Sequence, residues 1–246
     1  YSGCKNYDQN SSLEITRVKG FKIFRKFRKA FIVNEYLENN NIKAIFFDHW
    51  KSLEHIKLKY LYKFPSFCLI HSKEINHPKG SSLNNRMNKA FSKAKFIIAN
   101  SKYTKDLATN MGLEINKIKI INPGTNYPIQ IGKNEKTEAK KIYGASFPKI
   151  ITVARLDRRK NHQNILMTIK NLIPTYPDIK YICVGDGDEL TSLDSLRTQL
   201  GLEEQVILLP RVKERLKAAL LNEANLFLMP SIVHKKSVEG FGISFI

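Results

Sequence analysis

Short, nearly continuous apolar runs alternate with longer segments of helical spacing along most of this 246-residue chain. The runs Ile42–Phe47, Ser66–Ile70, Phe96–Ala99 and Ile118–Ile121 read as strands. Between them the spacing predicts helices over about 52–62 and 82–94, and a third capped by Ser101 and stopped by Gly112. Strands of this uniformly apolar kind mark a parallel sheet covered on both faces. Residues 122–133, with two prolines and two glycines, interrupt the alternation and read as an interdomain connection. Beyond them strands are expected at 150–154, 180–184, 206–209 and 226–229, and helices near 135–143, 162–173, 189–200 and 214–224. The fold class predicted is α/β, with two doubly wound parallel-sheet domains joined by a linker. The boundaries expected are 1–122, a linker at 123–133, and 134–246.

In such sheets ligands bind beyond the carboxyl ends of the strands, and polar residues and glycines gather there. Asp48 and His49 follow one strand, His71 another, and Arg155 a third. Gly185-Asp186-Gly187 and Pro210-Arg211-Val212 follow two more, and Pro230-Ser231 leads to Glu239-Gly240-Phe241-Gly242-Ile243 after the last. The stretch Lys149–Leu166 is the most informative. A buried strand turns through the basic loop Arg155–Lys160 into a helix from about His162. Free N–H groups at a helix start and nearby cations both favour an anion, and phosphate is the expected occupant. Each charge-assisted hydrogen bond would contribute roughly 1.5–3 kcal/mol. Asp186 and Asp188 look like a metal pair, but their spacing suits a loop in which Asp188 caps the next helix.

Composition sharpens this in three ways. A net charge of +19 points to an anionic partner, and a Lys-, Asn- and Ile-rich composition accounts for part of it without function. No apolar run approaches the ~20 residues that cross a bilayer. Cys4, Cys68 and Cys183 are widely spaced, and the latter two sit in strand-like runs, so reduced buried thiols and a cytoplasmic setting are expected. The start at Tyr1 carries no signal-peptide pattern and reads like the middle of a longer chain. Residues 17–33 hold seven cations with Phe24, Phe27 and Phe31 at helical spacing. The favoured expectation is a helix packing its Phe stripe on a sheet; a basic amphipathic helix on an anionic membrane surface is the other reading.

The succession V-A-R-L followed by Lys160, then V-G-D-G, M-P-S and E-G-F-G-I resembles the donor domain of the retaining family 4, or group 1, glycosyltransferases. The resemblance implies the GT-B fold, two Rossmann-like domains facing across a cleft, with the second domain incomplete here. The resemblance covers roughly Lys149–Ile246 closely and the region before it loosely. It implies transfer of a sugar from a nucleotide-diphosphate donor to an acceptor with retention of configuration, by same-face attack through an oxocarbenium-like state. Bacterial surface polysaccharide or glycolipid synthesis is the expected setting. The catalytic group it implies is His71, Arg155, Lys160 and Glu239: Arg155 and Lys160 grip the diphosphate, and Glu239 contacts the donor sugar. Gly185, Arg211, Val212, Gly240, Phe241, Gly242 and Ile243 are the implied donor-binding positions, and His49 is the acceptor-side candidate.

No metal and no cofactor is implied. The partners are a nucleotide-sugar donor and a sugar, lipid-linked sugar or glycolipid acceptor, with no nucleic acid. The implied location is the cytoplasm, including the inner face of the plasma membrane. The second glutamate of the family's E-x7-E pattern would fall beyond Ile246, and the glycine-rich acceptor loop before Tyr1, so truncation at both ends and inactivity of this stretch alone are expected. A sugar-nucleotide epimerase or phosphorylase on the same plan, or a non-enzymatic anionic-surface module, are the alternatives.

Overall fold

A computed structural model describes residues 4–126, 128–235 and 237–246. They divide into two compact units: one runs to Ile70 and resumes over His77–Ile121, and the other comprises His71–Asn76 and Asn122–Ile246.

The first unit holds α1 (Cys4–Asn10), α2 (Lys22–Asn39), β1 (Ile45–Phe47), α3 (Trp50–Leu53), α4 (Leu58–Lys63), β2 (Ser66–Ile70), α5 (Ser82–Phe91), β3 (Phe96–Ala99), α6 (Lys102–Asn110) and β4 (Ile118–Ile120). The four strands are parallel and lie in chain order. One sheet face is tightly packed: Cys68, Ile70, Ile97 and Ala99 are buried together with Trp50, Met87 and Phe91 of the helices. Covering on both faces does not hold here. On the other face Phe46, Phe67 and Phe96 stack across three strands, with centroids 4.8 and 5.4 Å apart, and Phe46 is 64% exposed.

Two helical expectations are corrected. The Phe stripe of α2 is not its packing face: Phe24, Phe27 and Phe31 are exposed, while Ala30, Asn34 and Leu37 are buried. Those three follow i, i+4, i+7 spacing, on a line about a quarter turn from the rings. The single helix expected over 52–62 is broken into α3 and α4. The Lys57 N–H donates to the buried Asn34 side chain at 3.1 Å, so it cannot continue a helix.

The second unit holds α7 (Lys133–Tyr143), β5 (Lys149–Val153), α8 (His162–Leu172), β6 (Lys180–Val184), α9 (Leu190–Gln199), β7 (Val206–Leu209), α10 (Glu214–Glu223) and β8 (Leu226–Phe227). Its strands are parallel in the order β7-β6-β5-β8. Here both faces are covered. Ile150, Tyr181, Cys183 and Val206 pack with Leu156, Ile165, Leu166, Ile169 and Leu193 on one side. Ile151, Ile182 and Val184 pack with Ala139, Tyr143, Ala219 and Leu220 on the other. Two opposite apolar surfaces on each strand explain why these strands read as continuous runs. The fold class is therefore α/β with two parallel four-stranded sheets. No described helix is long and apolar enough to cross a membrane.

Candidate active site

The order of the second sheet places the site. It reverses direction between β5 and β8, so the chain segments leaving these neighbouring strands diverge and open a crevice at their carboxyl ends. After β5 comes Ala154–Asn161, and after β8 comes Leu228–Gly242.

Arg158–Lys160 form one 3-10 turn. Asp157 starts it by accepting the Lys160 N–H at 3.3 Å, and Asn161 ends it in the left-handed region at φ 60°. The tight turn sends three successive cations in different directions. Arg158 is exposed and pairs with Glu189 at 3.5 Å. Arg159 lies near Asp157, at 3.7 Å, and donates to the Glu239 carboxylate. Lys160 is only 7% exposed; its ammonium meets the same Glu239 oxygen and lies 3.0 Å from Met229 Sδ. A buried ammonium is costly unless paired, and Glu239 supplies the pairing charge. Burial pushes the Glu239 carboxyl up, but the hydrogen bonds from Lys160 and Arg159 outweigh it and hold it below the usual carboxylate range.

The two loops are joined through the main chain as well. The Ile232 N–H donates to the Arg159 carbonyl at 2.8 Å; at the base of the crevice the Thr152 side chain of β5 donates through Oγ1 to the Leu228 carbonyl at 2.5 Å. Behind the turn lies a buried polar chain that sequence reasoning missed. His162 Nε2 faces the Arg155 carbonyl at 3.3 Å. A carbonyl only accepts, so the imidazole proton sits on Nε2 and Nδ1 is an acceptor. Tyr181 donates its hydroxyl proton to Thr152 at 2.9 Å, which leaves the Cys183 thiol, 3.5 Å away, to donate to Nδ1. Burial pushes that thiol up to about 11, so it keeps its proton. His162 shares its buried face with Ile165, Leu166 and Ile169; this i, i+3, i+4, i+7 spacing was the available signal.

Burial also lowers the pKa of His162 below 6.5, the Arg155 carbonyl opposing this in part. The unfolded chain then binds the proton more readily than the native state. The stability contribution is complete above about pH 6.5 and is lost as pH falls toward the lowered value. Urea midpoints measured from pH 7.5 to 5.5 should therefore fall, and fall less in His162→Gln.

The other sequence-derived positions are placed as follows. Arg155 is exposed and, among the described residues, has no side-chain hydrogen bond or ion pair. Gly185, at φ 148°, and Gly187 press against the backbone of the β5 loop: a Cβ would lie 1.9 Å from the Ala154 carbonyl oxygen and 2.4 Å from that of Leu156, respectively. Arg211 has its side chain 89% exposed, 3.6 Å from Asp186, and Val212 packs on the core beneath. Gly240 and Phe241 are half-buried, and Gly242 turns at φ 80° into a 3-10 turn over Ile243–Phe245.

His71 is exposed at the end of β2, its N–H donating to the Glu74 carboxylate. His49 caps α3, Nδ1 accepting the Lys51 N–H at 3.1 Å. Asp188 is not the cap of α9; that position is Glu189, and Asp186 instead accepts the Gly187 N–H at 2.8 Å. Among the described residues no cluster of three or more His, Cys, Asp or Glu side chains could hold a metal ion. His234 joins Asp157, Arg158 and His162 in lining a cavity of about 310 Å³ beside the turn.

Residues 134–246 match the glycosyl transferases group 1 family. An uncharacterized glycosyltransferase of Methanocaldococcus jannaschii is 24% identical over 197 residues, covering 80% of this chain and 42% of that protein. Among solved structures, Anabaena HepE in complex with UDP superposes with a TM-score of 0.73 at 18% identity, covering 93% of this chain and 64% of that one. Sucrose-phosphate synthase from Thermosynechococcus elongatus gives 0.65 at 16% identity, covering 95% and 60%. The fold is thus GT-B, and the chain spans less than two thirds of the length of each of these relatives. Within the group 1 region lie the basic turn, Gly185, Arg211 and the Glu239 loop; His49 and His71 lie outside it.

Proposed function

We propose that the protein is a glycosyltransferase that takes a sugar from a nucleoside-diphosphate donor held by the second unit. The observation that carries this reading is the buried Lys160 ammonium set beside Glu239 and Arg159 at the switch point of the sheet. As the sugar departs, negative charge builds on the diphosphate. Lys160 and the exposed Arg155 are the cations that would stabilise it, an effect realised in the transition state rather than the ground state. Glu239 would bind the donor sugar, and the backbone of Gly240–Ile243 would line the same pocket. Solved relatives hold UDP, and UDP with glucose, so UDP-sugars are the first donors to try.

Retention of configuration, by same-face attack through an oxocarbenium-like state, belongs to this reading, as do His71 at the donor sugar, His49 on the acceptor side and the absence of a required metal. The test is product analysis of the natural-length protein with a panel of radiolabelled nucleotide-sugars and lipid-linked acceptors, with and without chelator. A new glycosidic bond is expected; an isomerised or phosphorylated sugar instead would replace this reading with that of an epimerase or phosphorylase.

A lipid-borne acceptor at the inner face of the plasma membrane is part of the proposal. It is supported by α2 and the residues before it, where Phe21, Ile23, Phe24 and Phe27 are exposed beside Lys19, Arg25, Lys26 and Lys29. Aromatic rings that enter the interface and cations that meet anionic headgroups fit such a surface. Co-sedimentation with vesicles containing phosphatidylglycerol should exceed that with neutral vesicles and fall with added salt. Equal binding to both would remove this part of the proposal.

A further inference from the structure

Lys160 meets a carboxylate where the proposed function needs it to meet a diphosphate. The Glu239 oxygen that accepts from Lys160 Nζ also accepts from Arg159 Nη1. Arg159 and Lys160 thus face two carboxylates, Glu239 and, 3.7 Å from Arg159, Asp157. Without Arg159, Lys160 would be the sole cation on Glu239, and a phosphate approaching that pair would compete with a carboxylate already seated in a poorly hydrated place.

We propose that Arg159 is a positioning residue: it retains Glu239 when an anion takes Lys160, so the lysine can be released to the diphosphate without leaving the carboxylate unpaired. The inference rests on the donor reading above and adds a residue to it.

The geometry of Arg159 suits this task. Its side chain is 15% exposed, so it is less open to solvent than Glu239 at 26%. Asp157 holds the guanidinium from the other side at 3.7 Å, and the Arg159 carbonyl is itself fixed by the Ile232 N–H at 2.8 Å. Arginine has five donors in a planar fork and can serve Asp157 and Glu239 at once. The neighbouring Arg158, 70% exposed and turned to Glu189, cannot substitute for it.

The consequence is a specific pattern of coupling. With Arg159→Gln, Glu239 has only Lys160, and the lysine is less available to an incoming anion. With Glu239→Gln, no carboxylate competes, and Arg159 becomes dispensable for anion binding. A residue that merely shaped the turn would show no such dependence on Glu239.

The experiment is calorimetric titration of inorganic pyrophosphate into the natural-length protein and three variants: Arg159→Gln, Glu239→Gln, and both together. Thermal melts establish that each is folded. Binding about tenfold weaker in Arg159→Gln is expected, equal or tighter binding in Glu239→Gln, and recovery to within about twofold of the unmodified protein in the double variant. Arg159→Lys, which keeps the charge, should lose less than Arg159→Gln. Unmodified affinity in Arg159→Gln, or a double variant as weak as Arg159→Gln, overturns the inference while leaving the donor reading intact. Failure of the unmodified protein to bind pyrophosphate overturns the donor reading, and this inference with it.

Discussion

Under the proposed function, replacing Lys160 by alanine should lower the rate of sugar transfer by at least 100-fold. Removing one preorganised donor from developing negative charge costs about 10²–10³ in kcat at an oxyanion hole, and the same physics applies to a cation facing a departing diphosphate. Lys160 is preorganised in that sense. It is buried, its backbone N–H is capped by Asp157, and its ammonium has defined partners in Met229 and Glu239. The loss should appear chiefly in kcat rather than in KM, because the charge that it meets is largest in the transition state. The fold should survive, since Glu239 keeps Arg159 as a partner. Steady-state kinetics on the alanine and arginine variants checks this. An alanine variant within fivefold of the unmodified rate would remove Lys160 from the chemistry.

Gly185→Ala should be among the most destabilising single changes in the second unit, by about 3 kcal/mol or more. Two independent causes act at this position. The residue sits at φ 148°, outside the regions an L-residue adopts readily. An added methyl would also lie 1.9 Å from the Ala154 carbonyl oxygen and 2.9 Å from its carbon. The obstacle is backbone at the end of β5, which cannot swing aside as a flexible side chain would. Moving it would break the Ala154–Val184 and Leu156–Asp186 main-chain hydrogen bonds, both near 3.0 Å, and would displace the turn that carries Arg159 and Lys160. Denaturant unfolding measures the effect. By contrast, a methyl at Gly144 or Gly201 meets no atom within 4 Å, although both have positive φ, so alanine there should cost less than at Gly185.

These glycines show how far the sequence could be read. Gly185-Asp186-Gly187 was legible as a strand-end loop in the right place. Why it must be glycine was not: the atoms that forbid a side chain belong to Ala154 and Leu156, some 30 residues earlier in the chain. The strands themselves were plain because each strand of the second sheet is apolar on two sides. Helix phase was harder. In α2 the Phe spacing and the Ala30–Asn34–Leu37 spacing both satisfy a helical period, and only the packed structure chooses the second.

The break between α3 and α4 depends on Asn34 capturing the Lys57 N–H from 23 positions away, which no local pattern signals. At the site, Lys160 and Glu239 were readable as separate motifs, and the strand order brings them together. Arg159 was hidden among three consecutive cations. Which of them turn inward is decided by the phase of a single 3-10 turn, a matter of one residue. The His162 chain was hidden differently: a lone histidine on an apolar helix face has no partner in its own segment, and Tyr181, Cys183 and Thr152 come from two other strands.

The most direct measurement is the affinity of the natural-length protein for UDP, by calorimetry, beside that of Lys160→Met, which keeps the length of the side chain and removes its charge. Binding of UDP by the unmodified protein, weakened tenfold or more by the methionine, is the expected result. Equal affinities in the two proteins would contradict the assignment of the diphosphate to the turn between β5 and α8.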